Sequence, residues 1–188
     1  MSVFFIAFIT AFILPPGSAA ADARFSRLSE PGIVALMRHA QAPGTGDPAS
    51  FRLDDCTTQR NLDRLGEAQA REIGAAIRAA GVSVDRIFTS QWCRCRDTAK
   101  LLELGQAENL PALNSFFRDL GQAGKQTATL REFLSSLPLK ETVLMVTHYV
   151  NIAALTGRSV ASGEVLLLKI KPDGGMSVVD EILIDIRS

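Results

Sequence analysis

Two apolar runs set the plan of this chain. Gly32–Met37 and Thr142–Thr147 carry no charge, and each leads into a histidine: Arg38-His39 after the first, His148 after the second. A short apolar run that breaks off into polar residues reads as a buried strand with functional groups at its carboxyl end. Between the two runs the spacing turns helical. Leu65, Gln69, Ile73, Ala76, Ile77 and Ala80 share one face of a helix predicted over 62–80, with Asn61 or Asp63 as its cap and Gly81 as its stop. Val84–Thr89 reads as a short strand. The stretch from Ser90 opens a second helix running to about Leu104, with Trp92, Cys95, Ala99 and Leu102 on one face and Arg94 in its first turn. A helix start offers free N–H groups and a positive dipole end, which suits an anion.

Residues 106–121 read as irregular. Thr127–Leu137 is an amphipathic helix through Leu130, Phe133, Leu134 and Leu137, and Asn151–Thr156 is a short helix ended by Gly157. Two strands close the pattern, Glu164–Ile170 and Met176–Ile186, joined by the turn Pro172-Asp173-Gly174-Gly175. The order β-α-β-α-α-β-α-β-β predicts an α/β fold: a three-layer sandwich with a mostly parallel central sheet, helices on both faces and an antiparallel C-terminal hairpin. In such sheets ligands bind at the carboxyl ends of the strands.

Composition narrows the picture. With 188 residues and 47% hydrophobic content the chain is one domain with a real core. Lys plus Arg equals Asp plus Glu at 20 each, so no general basic field exists for nucleic acid or an anionic membrane. Val3–Leu14 is apolar, Pro15-Pro16-Gly17 breaks it, and Ser18–Ala23 supplies small residues with an A-x-A pattern. That is a signal peptide in outline, although no Lys or Arg precedes the apolar core, and it falls short of the roughly 20 residues a membrane-spanning helix needs. Residues 1–23 are therefore expected to be a cleaved signal and 24–188 the mature domain, periplasmic or secreted, with no stable membrane insertion after cleavage.

Export changes how the cysteines read. Cys56 pairs with Cys93 or Cys95 and leaves one thiol free, or all three remain small, partly buried thiols. No C-x-x-C occurs, so a zinc site is not expected.

The long loop 41–60 carries Asp47, Arg52, Asp54, Asp55 and Arg60 directly after Arg38-His39, and is expected to line a pocket. Arg60 and Arg96 read as solvated or carboxylate-paired, Trp92 as core, and Gln69 as a local hydrogen-bonding residue. Three strand ends then deliver Arg38-His39, Arg94 and His148 to one edge. Imidazoles among guanidiniums have an obvious partner in a phosphate dianion, which arginine grips through a planar fork of donors. Repulsion from the arginines would hold His39 neutral, with a lone pair free to attack phosphorus. A protonated His148 would add a third cationic donor. No Cys-x5-Arg, Gly-x-Ser-x-Gly or Walker pattern competes with this reading.

The chain here resembles the histidine phosphatase superfamily, which includes the phosphoglycerate mutases. Four blocks carry the resemblance in family order: Arg38-His39-Ala40 for Arg-His-Gly, Gly66-Glu67-Ala68-Gln69-Ala70 for Gly-x-x-Gln-Ala, Ser90 through Arg94 to Thr98-Ala99, and Thr147-His148 with Asn151. The resemblance implies a phosphohistidine on His39, phosphate binding by Arg38, Arg94 and His148, no metal and no organic cofactor. It also implies a general acid, and there the chain departs. Ser115 and Tyr149 stand where family members carry Glu or Asp. Asp54, Asp55 and Glu164 are the candidate acids instead. The expected function is a phosphomonoester hydrolase acting on a small phosphorylated substrate. The alternatives are a non-catalytic phosphate-ligand binding protein that lost its acid and, third, a phosphomutase.

Overall fold

The structure is a computed structural model and describes residues 23–184. The expected signal peptide, apart from its last residue, lies outside them. One six-stranded sheet organises the molecule in the order β3-β2-β4-β1-β5-β6. Its strands are β1 (Ile33–Arg38), β2 (Arg86–Thr89), β3 (Ala107–Asn109), β4 (Val143–Thr147), β5 (Val165–Ile170) and β6 (Met176–Ile182). The helices are α1 (Arg64–Ala79), α2 (Cys93–Leu101), α3 (Ala123–Ser136) and α4 (Tyr149–Thr156). β3, β2, β4 and β1 pair in parallel, whereas β5 runs antiparallel to both β1 and β6. This is the expected mostly parallel α/β sandwich with an antiparallel hairpin at its end. Among the described residues no helix is long and apolar enough to cross a membrane.

The sheet divides the core in two because successive strand side chains point to opposite faces. Ile33, Ala35 and Met37 of β1 meet Ile73 and Ile77 of α1 and Ala99 of α2 on one side. Val34 and Leu36 meet Leu130 and Leu134 of α3 and Ile152 of α4 on the other. Both faces of β1 and β4 are buried, which is why these strands read as unbroken apolar runs rather than alternating ones.

Three local expectations change. α1 turns a different face inward: Gly66, Ala70, Ile73, Gly74 and Ile77 are buried, while Leu65 is 46% exposed. The small residues decide this. A Cβ on Gly66 would meet the Gln41 carbonyl oxygen at 1.9 Å, and one on Gly74 the Leu102 carbonyl oxygen at 1.9 Å, so α1 packs backbone to backbone. Second, β3 lies in the stretch read as irregular. Ala107-Glu108-Asn109 has no apolar signal, and only pairing with β2 makes it a strand. Third, α3 begins at Ala123 and α4 at Tyr149, each earlier than its apolar spacing indicates.

Register is what builds the site. Arg38 of β1 lies opposite Thr147 of β4, so His39 and His148 leave adjacent parallel strands at the same level. The His39 N–H donates to the Thr147 carbonyl at 2.9 Å, and the Ser90 N–H donates to the Val146 carbonyl at 3.0 Å. All three chain segments therefore exit the sheet side by side.

Candidate active site

His39 sits one residue beyond β1 and is 2% exposed. Its Nδ1 is 2.7 Å from the Ala40 carbonyl oxygen, which can only accept, so Nδ1 carries the proton and Nε2 the lone pair. Burial, reinforced by the Arg94 charge, pushes its pKa down to about 3. The sequence reading that His39 is neutral holds, with burial ahead of charge repulsion as the cause. Ala40, where the family pattern has Gly, does not need a positive φ: among the described residues Glu103 is the sole non-glycine with one.

Arg94, 3% exposed in the first turn of α2, reaches both histidines. Its Nε donates to His39 Nε2 at 3.2 Å, and one terminal nitrogen approaches His148 Nδ1 at 3.4 Å. His148 Nδ1 therefore accepts. Its Nε2–H faces Ser90 Oγ at 2.8 Å, and Ser90 passes its own proton toward Asn114 Oδ1 at 3.2 Å. The two imidazole centroids are 5.5 Å apart. Burial, then the neighbouring His39 and the arginines, hold His148 well below its usual range. Burial and these neighbours thus favour the neutral form of His148. Arg38 is half-buried. One of its terminal nitrogens donates to the Val160 carbonyl at 2.8 Å, and its buried Nε has no partner among the described residues.

Part of the helix start is already engaged. The Cys93 N–H is taken by Gln59 Oε1 at 3.0 Å and the Gln91 N–H by Asn114 Oδ1 at 2.9 Å. The guanidinium groups of Arg38, Arg60 and Arg94 form the cationic wall.

The candidate acids fall outside the pocket. Asp54 is exposed, Asp55 caps the turn Cys56–Thr58 and pairs with Arg52, and Glu164 accepts the Ala161 N–H at 2.7 Å. None of the three lines the cavity of about 420 Å³ that holds His39, Arg38, Arg94 and His148. Asp55 and Glu164 instead serve their own loops, where each side chain finds a nearby backbone donor. Ser115 lines the cavity with its hydroxyl turned to the Phe117 N–H, and Tyr149 lies 5.7 Å from the Arg38 guanidinium.

Two carboxylates line the cavity, Asp47 and Asp119, and Asp47 is the one that pairs with Arg94. Its side chain is 6% exposed and grips Arg94 with both oxygens, at 2.8 and 3.3 Å. It also accepts the Arg60 N–H at 3.1 Å and the Trp92 indole N–H at 3.1 Å. Burial opposes ionisation of Asp47, but these donors outweigh it and its pKa is lowered. Arg60 and Trp92 correct the sequence reading. Arg60 is half-buried at the pocket and donates to the Gly46 and Ala42 carbonyls rather than to a carboxylate. Trp92 packs on the core and also lines the cavity. The tight turn Gly44-Thr45-Gly46, with φ of +87° and +69° at its glycines, brings Asp47 back over Arg94. A Gly-x-Gly-Asp turn directly after Arg38-His39 was the available signal. Gln69 works across a longer range than read: it accepts from Gln41 N and donates to the Ser162 carbonyl, each at 2.9 Å.

The Cys56–Cys93 disulfide fastens the 41–60 loop to the start of α2, and Cys95 is the free, buried thiol. Burial raises the Cys95 pKa to about 12, so it stays a thiol beside His148. Among the described residues no cluster of His, Cys, Asp and Glu has the makings of a metal site.

Fold and site together define an α/β protein with a two-histidine, arginine-lined pocket at the carboxyl edge of its sheet. Residues 34–117 match the histidine phosphatase superfamily (branch 1), a span that includes Arg38, His39 and Arg94. Over that span the chain is similar to that superfamily. It is similar in structure to the protein histidine phosphatase SixA complexed with tungstate, at TM-score 0.61 and 19% identity over 80% of this chain and 96% of that one. The Rv3214 protein of Mycobacterium tuberculosis gives TM-score 0.62 and 14% identity over 79% and 95%. A phosphoserine phosphatase of Entamoeba histolytica, in complex with 3-phosphoglyceric acid, gives 0.60 and 12% over 81% and 97%. No curated protein matches the chain in sequence.

Proposed function

We propose that this protein is a phosphomonoester hydrolase that works through a phosphohistidine on His39. The observation that carries this reading is the state of that residue: a neutral imidazole whose Nδ1–H donates to the Ala40 carbonyl and whose Nε2 lone pair faces Arg94. In the proposed reaction Nε2 attacks phosphorus and the bond from phosphorus to the leaving oxygen breaks, its electron pair departing with that oxygen. Water then attacks the phosphohistidine, the N–P bond breaks, and phosphate leaves. Arg94 and Arg38 hold the non-bridging oxygens, where charge collects in the transition state. The partnerless Arg38 Nε supports this role, since a buried cationic donor needs an acceptor. The arriving dianion raises the pKa of His148, which takes a proton on Nδ1 and becomes a third donor.

Turnover of p-nitrophenyl phosphate tests the proposal. His39→Ala is expected to lose at least about a thousandfold in kcat. Equal rates for wild type and variant would defeat it and leave the phosphate-binding reading. The proposal includes export, for which the Cys56–Cys93 disulfide is support, because such bonds persist in oxidising compartments. An N-terminus near residue 24 in the mature protein, read by mass spectrometry of extracted material, is the expected result.

A further inference from the structure

We infer that the outer half of the pocket is a binding site for an aromatic leaving group, which makes aryl phosphates the substrate class. This rests on the phosphatase reading above and goes beyond it.

The first observation is what the outer pocket offers. Phe51 stacks on Trp92 with ring centroids 5.1 Å apart and planes 21° from parallel, and the Arg118 guanidinium lies 5.8 Å from the Phe51 ring. Phe117 is 50% exposed and Tyr149 40% exposed, and both line this cavity. Large apolar side chains left uncovered at a cavity wall mark a surface that something apolar covers. The cavity, at about 420 Å³, has room for much more than a phosphate group.

The second observation is what the polar residues of that wall are doing. Gln126 donates to the Ala112 and Asn114 carbonyls. Asp119 accepts from the Gly121 N–H and from Gln122. Ser115 accepts from the Phe117 N–H, and Arg60 is engaged with carbonyls of its own loop. These groups satisfy the protein itself. Apart from Arg118 and Thr45, the polar side chains named here are engaged within the protein, whereas a ring would find aromatic faces.

The third is the chemistry of departure. Asp47, the buried carboxylate of the pocket, is held by Arg94, Arg60 and Trp92 in its ionised form and has no proton to give. A leaving oxygen that draws no proton from Asp47 departs with the electron pair alone. A phenolate, whose conjugate acid has a pKa of about 10, does so readily. An alkoxide, about as basic as hydroxide with water at about 15.7, does not. Pocket surface and leaving-group chemistry thus point to the same substrates.

Leaving-group reactivity alone would favour aryl esters, so the test separates binding from chemistry. Phosphonates bind without being cleaved. Benzylphosphonate is expected to inhibit p-nitrophenyl phosphate turnover at least about tenfold more tightly than methylphosphonate. Phe117→Ala and Phe51→Leu should each erase most of that difference while leaving the methylphosphonate constant unchanged. Phe117 is half-exposed, so its truncation leaves the core intact, and circular dichroism checks this. Equal inhibition by the two phosphonates overturns the aryl site and leaves the phosphatase reading standing. Inhibition by neither overturns both. Rates on O-phosphotyrosine and on a phosphotyrosyl peptide then tell a free aryl phosphate from a protein-borne one. A kcat/KM for O-phosphoserine or phosphoimidazole equal to that for phosphotyrosine would also sink the inference.

Discussion

His39 and His148 are buried without charge, and that has a cost in acid. The unfolded chain protonates each near pH 6.5, whereas folded His39 resists protonation until about pH 3. Between these values the unfolded state binds more protons, so stability rises with pH and is lost as pH falls through the window. His39→Gln should flatten the dependence of Tm on pH between about 6.5 and 4; a slope unchanged from wild type would contradict the buried neutral state. Phosphate binding should run the opposite way and take up a proton. Calorimetric titration of inorganic phosphate at pH 7, in buffers of different ionisation enthalpy, is expected to show net uptake. Asp47 carries a second prediction. It occupies the Arg94 guanidinium that a substrate phosphoryl group would use, so the two anions compete. Removing one partner of a buried ion pair costs about 3–5 kcal/mol. Asp47→Asn should therefore melt lower than wild type without phosphate and gain more Tm from added phosphate. An equal gain would mean that phosphate does not meet Arg94.

Among the elements, α1 joins the site to the core through two glycines. Gly66 packs against Gln41, two residues after His39, and Gly74 packs against Leu102 at the end of α2. Alanine at either position overpacks a backbone contact and should cost about 1–3 kcal/mol. The two differ in function. Gly66→Ala pushes on the strand exit that holds His39 and should lower kcat as well as the urea midpoint. Gly74→Ala should lower the midpoint with little change in kcat. A matched loss of kcat in both would show that α1 acts only through global stability. The face of α1 was misread for a physical reason. Apolar spacing ranks Leu65 above glycine, but at a helix-to-backbone contact the absence of a side chain is what permits burial.

For the molecule as a whole, the disulfide is the main covalent constraint, closing a sequence separation of 37 residues. Loop-closure entropy predicts about 4 kcal/mol from it. Cys56→Ser should lose roughly that amount in urea unfolding and should also raise KM for p-nitrophenyl phosphate, because the loop it fastens carries Asp47 and Arg60. A stability loss with unchanged KM would detach the loop from the site. The layers of this molecule were legible from the apolar runs, since a parallel sheet buried on both faces has to be apolar throughout. β3 was not, because its residues carry no preference for a strand and gain one from β2. His39, Arg94 and His148 were legible because chemistry at strand ends keeps short local motifs. Asp47, Arg60 and the aromatic wall were harder to see, because no spacing rule ties a loop residue to a partner some forty positions away.

Local order along the chain was enough to specify every strand but β3, most of the helices, and the four groups His39, Arg38, Arg94 and His148. It could do so because periodicity and short motifs are properties of neighbours. The neutral state of both imidazoles, the capture of Arg94 by Asp47, the exclusion of Asp54, Asp55 and Glu164, and the choice of Cys93 over Cys95 came from the folded arrangement alone. Burial, charge and bond geometry depend on distances between segments remote in the chain, and those distances exist only once the sheet has assembled.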